Sequence, residues 1–128
     1  MALHVELVSP ERIIYSGEAD MVLARTTDGE IAFLTGHAPF IGALGIGQVV
    51  VTEADGTKVR AAVHGGFVEV SHDRVTVLSD VAELSGDIDR SRAEAALRRA
   101  EEAVRASSTD EDATDALRRA QVRLDLLD

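Results

Sequence analysis

From Leu3 to about Val81, apolar and polar side chains alternate with a period of two. Leu3, Val5 and Leu7 stand against His4 and Glu6, Val59, Ala61 and Val63 against Lys58 and Arg60, and Val75 and Val77 against Arg74 and Thr76. Successive side chains of an extended chain point to opposite faces, so this pattern predicts strands with one face buried. Turn-forming clusters interrupt it at "VSPER", "TTDGE", "EADGTK", "HGG" and "SHDR". Asp55-Gly56, between "QVVVTE" and "TKVRAAV", reads as a hairpin turn, because glycine takes the positive φ such a turn requires. Short strands at intervals of about eight to twelve residues predict a sandwich or barrel.

Beyond Ser85-Gly86 the apolar period lengthens to that of a helix. Ala93, Leu97, Ala100 and Val104 share one face of "DIDRSRAEAALRRAEEAVRA", and Ala113, Ala116, Leu117, Ala120, Leu124 and Leu127 form a stripe along "DATDALRRAQVRLDLL". Between them, Ser108 with Glu111 in "SSTDE" predicts a capping box, worth on the order of 1 kcal/mol to the second helix. The expected fold class is α+β: a flattened β-sandwich or barrel of about ten short strands over residues 1–84, then an antiparallel two-helix hairpin over 85–128.

Composition narrows the functions open to such a chain. With 128 residues and 45% hydrophobic side chains it can bury a core, and with no cysteine it has neither disulfides nor a thiolate metal site. "MALHVELVSP" lacks the basic and apolar regions of a signal peptide, and no apolar run is long enough for a membrane helix, so the expectation is a cytosolic chain. A net charge of −10 opposes phosphate backbones and anionic lipid, and Tyr15, Phe33, Phe40 and Phe67 are the only aromatics for base stacking. Nucleic acid and direct lipid binding are therefore not expected. Residues 1–84 hold 5 basic and 12 acidic side chains, residues 85–128 hold 8 and 11, and all eight of those basic residues are arginines. Arginine suits bidentate recognition of carboxylate and phosphate, although helix-surface pairs such as Glu94 with Arg98 account for the same composition.

The stretch "GEIAFLTGHAPFIGALGIGQV" departs from the alternation, and its glycines admit three readings: a phosphate loop, a catalytic loop, or a surface gripped by another protein. The first fails because no G-x-x-x-x-G-K-[ST] spacing is present and a strand follows, not a helix. The second offers His37 near Asp28 and Glu30, but there is no cysteine or serine elbow, and His4, His37, His64 and His72 lack metal-ligand spacing. His37 is then either a residue that holds the turn before Pro39 or a contact for a partner. Phe33, Phe40 and Ile41 are either core or exposed, and two bulky apolar residues flanking the Gly-His-Ala-Pro turn suit a stiff loop whose tip docks on something.

"GEIAFLTGHAPFIGAL" resembles the G-E-x-G-x-L-P-G-H-x-P-L signature of the epsilon subunits of rotary ATP synthases, and "HGGFVEVSHDRVTVLSDVAE" resembles that family's S-G-G-x-x-E-V-x-x-x-x-V-T-V-L-A-D strand pair. Ala32 stands where the family pattern has glycine, and Thr35 where it has proline. The resemblance covers essentially the whole chain. It implies a non-catalytic subunit of the central stalk of a proton-translocating synthase, at the cytoplasmic face of a membrane it does not enter. The implied partners are the gamma subunit and the ring of c subunits, with Glu30, Gly36, His37, Pro39 and Phe40 at that interface, Glu30 facing the ring and His37 near gamma.

In "DIDRSRA", Ile88, Asp89, Arg92 and Ala93 are similar to the [IL]-D-x-x-R-A motif through which some bacterial members bind ATP. The same resemblance carries over to Glu83, Arg99, Arg119 and Arg123. No cofactor is implied as a requirement; ATP enters as a regulatory ligand. Helical spacing agrees, since Arg92 and Arg99 share a face and Arg119 and Arg123 lie one turn apart. The hairpin's apolar side chains are worth about 1.5–3 kcal/mol each, against roughly 1–2 kcal/mol of backbone entropy per ordered residue. Such a balance predicts a hairpin that exists either folded on the sandwich or extended along a partner. By resemblance, the extended form reaches the alpha/beta catalytic head and blocks ATP hydrolysis, and ATP holds the folded form. The alternative is a free-standing nucleotide-binding regulatory module with no rotor.

Overall fold

A computed structural model describes residues 2–127; Met1 and Asp128, the outer ends of the two expected units, lie outside the described residues. The alternating region forms ten strands: β1 (Leu3–Val8), β2 (Ile13–Ala19), β3 (Met21–Thr26), β4 (Gly29–Leu34), β5 (Phe40–Ala43), β6 (Ile46–Thr52), β7 (Lys58–His64), β8 (Phe67–Ser71), β9 (Arg74–Leu78) and β10 (Ala82–Leu84). They assemble into two five-stranded sheets, sheet A in the order β2-β1-β9-β8-β5 and sheet B in the order β10-β7-β6-β3-β4. The inward set of each strand meets between the sheets. Leu3, Val5, Leu7, Val22, Phe33, Val49, Val51, Val63, Val68, Val70, Val75 and Val77 make one buried cluster, so the sandwich carries its own core.

The turns follow local chemistry. Between β6 and β7 the Asp55 carboxylate accepts the Thr57 N–H at 2.9 Å, while Gly56 takes φ 89°. His72 and Asp73, at φ 53° and 59°, make the two-residue turn between β8 and β9, whose twist matches that of paired strands. Gly66 takes φ 113° and is packed against the Leu78 carbonyl oxygen, where no Cβ fits. Two pairings go beyond the alternation: β1 lies parallel to β9, and the short β10 adds to the edge of β7.

After a single 3-10 turn (Ser85–Asp87) come α1 (Arg90–Ala106) and α2 (Glu111–Leu127). They run antiparallel, with the Arg90 guanidinium donating to the Leu127 carbonyl at 3.1 Å. Ala93, Ala100, Ala113 and Ala120 are buried in the hairpin, where small side chains allow close approach. Leu126, outside the expected stripe, is also buried, because α2 packs on β6 and β7 as well as on α1. The expected capping box is corrected. Asp110 caps α2 instead, its carboxylate accepting the N–H groups of Asp112 (3.0 Å) and Ala113 (3.3 Å). Ser108 lies two residues too early once the helix begins at Glu111, and a carboxylate also complements the positive helix N-terminus. Among the described residues no ion pair joins Glu94 to Arg98; Arg123 instead reaches across elements to Glu83.

Candidate functional site

The 3-10 turn, the start of α1 and the end of β10 enclose a cleft of about 400 Å³ against α2. Asp89 ends the extended segment and caps α1, its carboxylate accepting the Arg92 N–H at 3.1 Å. That cap sets the first turn, and the helical repeat then brings Arg99 to the same side as Arg92. Of the residues expected to hold a nucleotide, Glu83, Ile88, Asp89, Arg92, Ala93, Arg99 and Arg123 all line this cleft. Arg119, half-buried one turn earlier on α2, does not line it. Asp87, Ala95 and Ala96 line it too, beyond the expected set.

One charged contact joins hairpin and sandwich here. Arg123 Nε donates to Glu83 Oε1 at 2.6 Å. His64 Nε2 lies 3.5 Å from the same oxygen, and its side chain is only 4% exposed. Neither of its ring nitrogens has a hydrogen-bond partner. Burial lowers the His64 pKa, the Arg123 guanidinium lowers it further, and the pull of Glu83 the other way does not make up the difference. The signal for this residue is "RAAVH": Ala61, Ala62 and Val63 are all buried, which breaks the alternation and marks a strand covered on both faces.

The glycine-rich loop lies elsewhere. Leu34 and His37 close a turn at 3.1 Å, with Gly36 at φ 85°, and the Asp73 carboxylate accepts the Gly36 N–H at 2.7 Å. The His37 ring packs edge-on to Phe33, with centroids 4.9 Å apart, and also meets Phe40. Pro39 is exposed beside them. Glu30 sits at the opposite end of β4, opposite Arg25 of β3 and 4.0 Å from it. Gly36, His37, Pro39 and Phe40 are therefore together, and Glu30 is apart from them.

Sheet A keeps its outer face uncovered by the hairpin, and an apolar row crosses it. Ile13 pairs with Val8, Val8 with Leu78, Leu78 with Phe67 and Phe67 with Ala43, one residue from each strand. Ile13, Leu78 and Phe67 are 58%, 47% and 56% exposed. Among the described residues no group of His, Asp and Glu could hold a metal, and no helix is long and apolar enough to cross a membrane.

The family model for the β-sandwich domain of the ATP synthase delta/epsilon chain matches residues 2–85, and the model for that chain's long alpha-helix domain matches 87–128. The ATP synthase epsilon chain of Streptomyces avermitilis is 47% identical over 122 residues, which cover 95% of this chain and 92% of that one. The epsilon chain of Thermobifida fusca is 50% identical over 102 residues, covering 77% and 74%. Among solved structures, a chain of the Euglena gracilis mitochondrial ATP synthase superposes with a TM-score of 0.74 at 23% identity, over 98% of this chain and 77% of that one. A chain from the central stalk and c-ring of the Tetrahymena thermophila enzyme gives 0.60 at 13%, over 100% and 98%. At those identities the superpositions speak for the fold, and the sequence matches carry the relationship: the chain belongs to the ATP synthase epsilon chain family.

Proposed function

We propose that this epsilon chain is a non-catalytic part of the central stalk of a proton-translocating ATP synthase, bound to gamma and to the c-ring at the cytoplasmic face of the membrane. The observation that carries the reading is the apolar row Ile13, Val8, Leu78, Phe67 and Ala43 on the uncovered face of sheet A. A solvated sheet face ordinarily carries polar side chains, and a continuous apolar strip across all five strands suits a lasting protein contact. The loop at Gly36–Phe40, pinned by Asp73, adds a stiff edge through which torque passes with little give. Glu30, exposed at the far end of β4, is available to basic loops of the ring.

The hairpin is the regulatory part of the same proposal. Folded on sheet B it leaves the catalytic head free, and extended into the head it blocks ATP hydrolysis. ATP in the cleft of Glu83, Ile88, Asp89, Arg92, Ala93, Arg99 and Arg123, with Arg119 alongside, holds the folded form. Three cleft arginines facing one 400 Å³ space support an anionic ligand of nucleotide size.

The test is capture of the tagged chain from its own detergent-solubilised membranes, beside a Phe67→Asp, Leu78→Asp double variant. The native chain is expected to bring down alpha, beta, gamma and c subunits, and the variant to fold but lose them. Recovery of the native chain alone from preparations whose synthase is intact would overturn the stalk role and leave a free-standing nucleotide-binding module.

A further inference from the structure

His64 ends β7 with its side chain on the outer face of sheet B, the face α2 covers, because its neighbour Val63 points into the core. Its side chain is 4% exposed, and neither ring nitrogen has a hydrogen-bond partner. A buried imidazole in that condition sacrifices hydrogen bonds it would have in water. The charged groups around it come from two elements. Strand β10 supplies Glu83, and α2 supplies Arg119 and Arg123; across β6 its register partner is the apolar Ile46. Asp87, Asp89, Arg92 and Arg99 line the adjoining cleft. The decisive feature is that His64 and Arg123 address the same atom. Glu83 Oε1 accepts from Arg123 at 2.6 Å and lies 3.5 Å from His64 Nε2.

We propose that His64 is a proton-operated latch for the hairpin: neutral, it lets Glu83 tie Arg123 and α2 to sheet B, and protonated, it competes for that carboxylate and releases α2. With His64 neutral, one carboxylate faces two guanidinium groups. Protonation sets a third cation beside them, so that the one carboxylate faces three, with the imidazole itself buried. The cheapest relief is for α2 to lift away, carrying Arg119 and Arg123 with it and exposing the imidazole.

The sign follows from linkage. An exposed imidazole titrates near about 6.5, and the docked one below that, so the undocked state binds more protons in the intervening window. Docking is therefore at full strength above the exposed value and weakens as pH falls through it. With one proton involved, the docking constant falls by up to about tenfold per pH unit until the docked-state pKa is passed. The latch belongs to the chain alone, so its fate is independent of the stalk role.

The chain has no cysteine, so Thr57→Cys with Ser108→Cys gives a clean pair of sites for spin-label distance measurements on the full chain. From about pH 8 to about pH 5 the docked population is expected to drop with a one-proton slope, and the His64→Gln chain to show no such slope. In the chain without spin labels, imidazole NMR is expected to show His64 titrating below the ordinary imidazole value. The latch is overturned if the docked population is flat between those limits, if His64→Gln retains the slope, or if His64 titrates at or above the exposed value.

Discussion

At the scale of single residues, several side chains do work that their types alone do not announce. Tyr15, the only tyrosine, donates from its hydroxyl on β2 to the Glu53 carboxylate just past β6 at 2.5 Å. Burial, the hydrogen bond and the carboxylate's charge all favour the neutral phenol, and its pKa rises from 10.0 to about 12. The corresponding stability is fully present below pH 10 and is lost as pH rises toward 12. With no tryptophan present, ultraviolet titration of the phenolate reads this group directly. The midpoint is expected near 12 in the native chain, and Glu53→Ala is expected to lower it. A native midpoint at the ordinary value would remove the interaction. Nothing in "IIYSGEA" foretells Glu53, because the pair is made by the stacking of the sheets. Gly66 was likewise visible only as part of a turn-like "HGG", whereas its close approach to the Leu78 carbonyl is a tertiary fact.

At the scale of elements, what the chain's own pattern made legible and what it hid divide along the same line. Period-two alternation located strands because one face of each meets the core, and the hairpin at Asp55-Gly56 was readable because its turn chemistry is local. The parallel pairing of β1 with β9 joins segments far apart in the chain, and β10 is too short to show a period. The second helix starts two residues later than the capping box implies, since Ser108 and Asp110 are both good caps and only the packed helix selects between them. The cleft was legible to the extent that helical spacing put Arg92 and Arg99 on one side; Arg119 falls outside its lining because α2 is turned toward His64. That geometry makes a prediction for the hairpin as a ligand site. Calorimetric titration of the full chain with ATP should give saturable binding, and Arg99→Ala, exposed and outside the apolar contacts, should weaken it by about tenfold, the worth of one charge-assisted contact. Equal affinity for the two chains would take Arg99 out of the site, and no binding at all would take ATP out of the cleft.

At the scale of the whole molecule, the energetic weight is uneven. Every member of the main buried cluster belongs to the strands or their connections, so the sandwich does not need the hairpin to close its core. The hairpin contributes an alanine seam, the cover over Ala62 and His64, and the Glu83–Arg123 contact. A chain ending at Gly86 should therefore unfold cooperatively, with a Tm lower by roughly 5–15 °C, since uncovering a few small side chains costs on the order of 1–2 kcal/mol. Scanning calorimetry of the shortened and full chains measures this. A shortened chain that binds hydrophobic dyes and shows no cooperative transition would mean that sheet B depends on α2, and that the hairpin cannot leave it without unfolding the sandwich. That outcome would defeat both the extended inhibitory form and the His64 latch at once, because each requires α2 to depart from a sheet that stays folded. A preserved transition would instead fit the proposed division of labour, in which sheet A meets the partners while sheet B parks or releases the hairpin.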